Sequence, residues 1–121
     1  MGIVSKAVTE PALLLGLAAP ALAANFATCL LDKLPGTAND VVAQAVRQLC
    51  LSENPNGFLG APQGSGRGMF GYKSGAACTV KKAGDTRSNQ AAHLIGIACR
   101  KLYDESEIDR FLRDAPRKPA S

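Results

Sequence analysis

Two stretches of the chain repeat apolar residues with the period of an α-helix. In both stretches, three apolar residues stand at positions i, i+3 and i+7 and therefore share one helix face. The two sets are Ala43, Val46 and Cys50, and Ala92, Ile95 and Cys99. A residue that can cap a helix precedes each stretch, Asn39 in the first and Ser88 in the second. The pattern predicts one helix after each cap, and the second helix extends to about Tyr103.

Cysteines bound both stretches in the same way. Residues 29–50 and residues 78–99 each begin and end with a cysteine, and in each the two cysteines are 21 positions apart. The segments align without a gap, as CLLDKLPGTANDVVAQAVRQLC and CTVKKAGDTRSNQAAHLIGIAC. Because the spacing and the capping residues agree, we interpret the two units as an internal duplication.

Residues 1–23 have the order of a secretory signal peptide. Lys6 precedes the apolar run ALLLGLAA, and the sequence ALA at 21–23 supplies the small residues that a signal peptidase recognises. We therefore expect cleavage after Ala23 and a periplasmic or secreted protein.

The alternative for this segment is a transmembrane anchor over residues 12–31, which has sufficient length. Pro20 and Asn25 inside that stretch argue against an anchor. Cleavage would leave a mature domain of residues 24–114, with a disordered tail at 115–121 and no stable membrane insertion.

The four cysteines are expected to form disulfides. An even number of cysteines in a short exported chain is typical of disulfide bonding, and three pairings are possible. A helix from Asn39 to Cys50 rises about 16 Å, and the residues that follow Cys29 can span a similar height. We therefore predict the pairs Cys29–Cys50 and Cys78–Cys99. Zinc sites usually contain C-x2-4-C pairs, and the chain has none, which argues against a metal site.

A glycine-rich segment separates the two units. Residues 55–76 contain seven of the twelve glycines, so we expect a long loop there. Residues 66–71 match G-x-G-x-x-G, but the strand and helix that flank a dinucleotide site are not predicted around them. Residues 69–72 and 77–81 are compatible with a short β-hairpin.

After the second unit, residues 104–113 place Ile108, Phe111 and Leu112 on one side among charges of both signs. This pattern predicts a short amphipathic helix that docks on the domain. The expected fold is therefore mainly α: a small disulfide-stapled domain of two cysteine-bridged helical units joined by a glycine-rich loop.

The charge distribution and the motif content exclude several functions. The net charge is +4, from 14 basic and 10 acidic residues that are interleaved along the chain. A nucleic-acid-binding protein would normally show a basic stripe, so we expect no nucleic-acid partner. His93 is the only histidine and lies inside the second predicted helix, where a packed or surface role is more common than catalysis. We predict no catalytic, cofactor-binding or metal-binding residue, and hence no enzyme.

The segments CLLDKLPGTANDVVAQAVRQLC and YKSGAACTVKKAGDTRSNQAAHLIGIACRKLY resemble small exported bacterial proteins. The resemblance covers residues 29–103. It implies export and a two-cysteine helical repeat, and it implies no activity, ligand or catalytic residue.

The sequence leads to three functional hypotheses. The first is a non-enzymatic binding or structural module of the bacterial envelope or medium, whose glycine-rich loop contacts an unknown protein partner through Arg67, Phe70 and Tyr72. The second is a small inhibitor or effector that presents the loop around Arg67. The third is a thiol-redox protein, for which the sequence offers no C-x-x-C pair and no histidine beside a cysteine.

The signal and disulfide predictions can be checked together by intact-mass measurement of the exported protein. We expect the mass of a chain that begins at Ala24, and reduction should add two hydrogens for each disulfide. A mass that includes residues 1–23, or that does not change on reduction, would contradict the corresponding prediction.

Overall fold

The structure is a computed structural model that describes residues 24–115. The predicted signal peptide, and residues 116–121 of the predicted tail, lie outside the described residues. Five α-helices and one 3-10 turn make up the described part of the chain. They are α1 (Phe26–Lys33), α2 (Asp40–Glu53), the 3-10 turn (Gly57–Gly60), α3 (Gly75–Ala83), α4 (Asn89–Tyr103) and α5 (Glu107–Asp114). The prediction of a mainly α fold is confirmed.

The short β-hairpin considered for residues 69–72 and 77–81 is not formed: residues 24–115 contain no strand. Residues 77–81 belong to α3, and residues 69–72 form turns and bends. The helix is set by Ser74, whose hydroxyl accepts a hydrogen bond from the Ala77 amide at 3.1 Å and so caps α3. This cap outweighs the β-preference of the Thr and Val that follow.

The two disulfides pair as predicted. Cys29 joins Cys50 with their Cα atoms 5.8 Å apart, and Cys78 joins Cys99 with their Cα atoms 5.5 Å apart. The first bridge therefore staples α1 to α2, and the second staples α3 to α4. Each pair of consecutive helices forms a unit with one bridge in it.

The helix caps extend the correspondence between the two units. Asn25 caps α1 and Ser74 caps α3, and each precedes the first cysteine of its unit by the same number of residues. As the sequence predicted, Asn39 caps α2 and Ser88 caps α4. Local hydrogen bonds thus start all four helices at equivalent positions in the two units.

Helix α4 forms the centre of the core. It contacts α1, α2 and α3, and its contact with α3 is the most extensive in the domain. Eight of its residues are buried: Ala91, Leu94, Ile95, Gly96, Ala98, Cys99, Leu102 and Tyr103. Leu30 of α1 and Leu34 just after it are fully buried in the same cluster. Burial of each such leucine contributes about 1.5–3 kcal/mol to folding.

The turns that connect the helices of each unit meet one another. The Thr37 carbonyl accepts a hydrogen bond from the Arg87 amide at 2.9 Å and another from the Thr86 hydroxyl at 2.8 Å. Thr37 and Thr86 are equivalent positions of the two units. The turns therefore join the units at the end of the domain where α2 and α4 begin.

Asp40 strengthens this junction. Its Oδ1 accepts hydrogen bonds from the Ser88 hydroxyl at 2.5 Å and from the Gln90 amide at 3.2 Å. Ser88 Oγ in turn accepts from the Ala91 amide at 2.9 Å. A carboxylate of α2 thus lies at the amino-terminal end of α4, where the helix dipole favours a negative charge.

Helix α5 forms close to where the sequence predicted it, but it does not dock through its apolar side chains. Ile108, Phe111 and Leu112 are 67%, 70% and 66% exposed, and α5 has no buried residue. The short helix begins at Glu107, after a segment of residues 104–106, and lines a surface groove together with α4. Within residues 24–115, no helix has both the length and the apolar character needed to cross a membrane.

The Asp40 junction predicts a pH dependence of stability. The hydrogen bond from Ser88, followed by that from the Gln90 amide, lowers the pKa of Asp40 from its usual value of 3.8. Because the folded-state pKa is the lower one, the ionised Asp40 adds to the free energy of unfolding at any pH above the unfolded-state pKa. This stabilisation is lost as the pH falls through the folded-state pKa. Wild type should therefore have a higher urea midpoint than Asp40→Asn at neutral pH, and the gap should shrink as the pH falls below about 4. A gap that stays constant down to pH 2 would contradict the assignment.

Candidate binding surface

The glycine-rich segment is an ordered loop. The 3-10 turn occupies its first part and α3 begins at Gly75, so the predicted loop over residues 55–76 is two residues too long at its carboxyl end. Residues 61–74, named the capping loop below, pack against the carboxyl-terminal end of α4.

The capping loop supplies hydrogen-bond donors to the end of α4. The last four carbonyls of a helix have no partner within the helix. In this domain the loop reaches the carbonyls of all four residues 100–103, and the Arg100 carbonyl also accepts from the Asp104 amide at 3.1 Å. Two side chains of the loop donate to these carbonyls: Gln63 Nε2 to that of Arg100 at 2.8 Å, and Arg67 Nη1 to that of Tyr103 at 2.6 Å. Two backbone amides of the loop do the same: that of Gly64 donates to the Lys101 carbonyl at 2.7 Å, and that of Gly66 to the Leu102 carbonyl at 2.8 Å. The loop therefore acts as the cap of a buried helix.

Asp104, which directly follows α4, contacts both α3 and the capping loop. Its Oδ1 accepts a hydrogen bond from the Gly75 amide at 2.7 Å, at the first turn of α3. Its carbonyl also accepts from Gln63 Nε2 at 3.0 Å. The end of α4, the capping loop and the start of α3 are thus joined in one hydrogen-bonded network.

Two glycines of the G-x-G-x-x-G match are required by close packing. A Cβ atom on Gly66 would lie 2.7 Å from Cε1 of Tyr103, and a Cβ on Gly71 would lie 2.3 Å from the Gly66 carbonyl oxygen. The Tyr103 ring also packs edge to face on Tyr72, with centroids 5.1 Å apart. Burial, with a smaller contribution from Tyr72, raises the pKa of the Tyr103 phenol. The motif is therefore accounted for by the fold of the loop.

The three residues predicted to contact a partner have different environments. Arg67 donates its Nη1 hydrogen bond to the end of α4, and Tyr72 is half-buried against Tyr103. Phe70 is 95% exposed, and its neighbour Met69, which was not among the predicted contacts, is 89% exposed. Met69 could have been found, since it is the other large apolar residue in a run of glycines. Met69 and Phe70, named the loop tip below, are the candidate contact.

An open groove of about 360 Å³ lies between α4, the capping loop and α5. Phe58 and Ile97 supply its apolar wall, and Arg100, Glu107 and Arg110 place both signs of charge on its rim. The mixed rim does not favour a ligand of either charge.

His93 lies exposed on α4. Among the described residues there is no group of three or more potential metal ligands.

Comparison with known proteins found no matching family model, no matching curated protein and no matching solved structure.

The packing of the capping loop predicts a difference between two glycine substitutions. Gly71→Ala should destabilise the domain by about 1–3 kcal/mol, because its methyl group would overlap the Gly66 carbonyl. Gly68→Ala is the matched control, since a Cβ there meets nothing within 4 Å, and it should be neutral or stabilise by up to about 1 kcal/mol. Urea unfolding of the two variants tests this. Equal free energies of unfolding would show that the loop is not packed as described.

Proposed function

We propose that this domain is an exported, non-enzymatic binding module that contacts a protein partner through the loop tip. The observation that supports the proposal is the near-complete exposure of Met69 and Phe70 on a loop that is tied to a buried helix. Aromatic side chains are among the residues that contribute most to protein interfaces. Methionine adapts to irregular apolar surfaces.

The hydrogen bonds of the capping loop favour binding. A flexible loop loses conformational entropy when it binds, and an ordered loop has already lost most of it during folding. Gly64, Gly66 and Arg67 bond one side of the loop to α4, and on the other side the Gly71 backbone lies close against the Gly66 carbonyl. The loop tip between them is therefore held in place before any partner arrives. The partner surface that fits it is an apolar pocket that can accept a phenyl ring and a thioether.

The two disulfides support an oxidising compartment, since such bonds form and persist in the periplasm or outside the cell. Together with the signal-like order of residues 1–23, they support a periplasmic or secreted location. A protein partner in the envelope or the medium would be accessible to the loop tip there.

A small inhibitor or effector is the second candidate function. An inhibitory loop must be rigid, whereas a high glycine content favours flexibility. The hydrogen bonds between the capping loop and α4 supply that rigidity. Because Arg67 donates to the Tyr103 carbonyl, the segment presented to an enzyme cleft would centre on Phe70.

The proposal is tested by affinity capture with the immobilised mature domain from envelope extract and culture medium of the source cells. Wild type should retain a partner, and replacing both loop-tip residues, Met69→Ser with Phe70→Ser, should weaken the affinity for it by at least about tenfold. Leu59→Ser is the control, because Leu59 is 92% exposed and lies outside the capping loop. All three proteins should unfold at similar urea concentrations.

Retention of the same partner by the loop-tip variant would contradict the proposed contact. Loss of the partner in the Leu59→Ser control as well would indicate general hydrophobic adsorption. Specific turnover of a substrate by the pure domain would contradict the non-enzymatic assignment.

A further inference from the structure

The two disulfides are equivalent in sequence and unequal in burial. Cys78 and Cys99 are both 0% exposed, and so is Cys50. Cys29 is only partly buried and lies in a surface groove of about 270 Å³. One residue of the first bridge therefore reaches the protein surface, whereas both residues of the second bridge are enclosed.

The helices that the two bridges hold are also unequally packed. Of its fourteen residues, α2 buries Ala43 and Cys50, with Val46 and Leu51 partly buried against the core. By contrast α4 buries eight of fifteen residues. The apolar residues Val41, Val42 and Leu49 of α2 are exposed. Packing alone therefore holds α2 weakly.

The attachment of α2 differs along its length. Its first turn is joined to α4 through the hydrogen bonds that Asp40 accepts from Ser88 and Gln90. Its carboxyl-terminal half contains Cys50 as its only fully buried side chain. The disulfide is thus the main restraint on that half.

We infer that the Cys29–Cys50 disulfide is a redox-sensitive latch, which a dithiol opens in the native protein and whose opening releases the carboxyl-terminal half of α2. The dithiol's thiolate attacks Cys29 Sγ, the bond to Cys50 breaks, and Cys50 leaves as a thiolate that takes up a proton. The second thiolate of the reagent then attacks the mixed disulfide and releases Cys29. The protein gains two thiols, and the dithiol is oxidised to its disulfide.

A carboxylate lies beside the point of attack. Glu53 Oε1 is 3.7 Å from Cys29 Sγ, and Asp32 lines the same groove together with Lys33. The negative charge of Glu53 repels an approaching thiolate, so the rate of opening depends on it. This dependence separates direct attack on the folded protein from reduction after global unfolding.

The remainder of the domain keeps its own restraints. The capping loop is bonded to α4, and α3 is stapled to α4 by the enclosed bridge. Helix α1 buries Phe26, Ala27, Leu30 and Leu31. Opening the latch should therefore leave the loop tip in position, and loop-tip binding and latch opening can be measured separately.

The test uses the intact mature protein with dithiothreitol under native conditions. Samples are quenched with an alkylating reagent at timed intervals, and peptide mapping locates the modified cysteines. We expect Cys29 and Cys50 to be labelled at least about tenfold faster than Cys78 and Cys99, because reduction of the enclosed pair requires a larger opening. Hydrogen exchange on the half-reduced protein should show lost protection in residues 46–53, with protection retained in α4.

Two results would overturn the inference. One is reduction of both disulfides at the same rate. The other is full retention of amide protection in residues 46–53 once the first bridge is open.

Glu53→Gln supplies a readout that a purely structural role would not change. It should speed the reduction of Cys29–Cys50 by roughly threefold at low salt, less at high salt, and leave the rate at Cys78–Cys99 unchanged. Glu107→Gln is the matched control, because it removes an exposed charge on α5 outside the groove. In this variant the Cys29–Cys50 disulfide should be reduced at the wild-type rate. An equal change in both variants, or none in Glu53→Gln, would count against direct attack at Cys29.

Discussion

The burial of α4 is the constraint on which the rest of the structure depends. A helix that packs against three others places its terminal amides and carbonyls close to the core, where each unpaired group costs about 1–3 kcal/mol. The domain satisfies both ends. Ser88 and the Asp40 carboxylate accept from the first amides, and the capping loop donates to the last four carbonyls. The exposed loop tip belongs to the loop that forms this second cap.

The parts of the fold that could be predicted from the sequence are those set by local interactions. The caps at Asn39 and Ser88, the apolar spacing behind them and the repeated cysteine interval are readable because each involves residues close together in the chain. The α3 cap at Ser74 had the same kind of signal, at the position equivalent to Asn25. It was missed because the Thr and Val of residues 77–81 suggested a strand.

The candidate site could be predicted only in part. Phe70 was predicted as a partner contact from its residue type. The glycines around it predicted a flexible loop, whereas the fold requires glycine at Gly66 and Gly71 for its small size. The bonds that fix the loop join the amides of Gly64 and Gly66 to carbonyls of α4, and a backbone amide carries no sequence signature. The hydrogen bond from Arg67 Nη1 to the end of α4 could not be predicted either, because nothing in the sequence reveals a carbonyl 36 residues away as its acceptor.

The two units share one plan of caps and disulfides but have different sources of stability. The second unit encloses its disulfide and buries most of one face of α4, so its bridge adds to packing that already holds. The first unit has the same bridge, but much of α2 carries polar or exposed side chains. The disulfide therefore supplies a restraint on α2 that packing supplies for α4. A bridge restricts the unfolded chain by a similar amount in two loops of equal length. Its effect on the folded state differs because the helix it holds differs, and equal spacing in the sequence therefore does not imply an equal role.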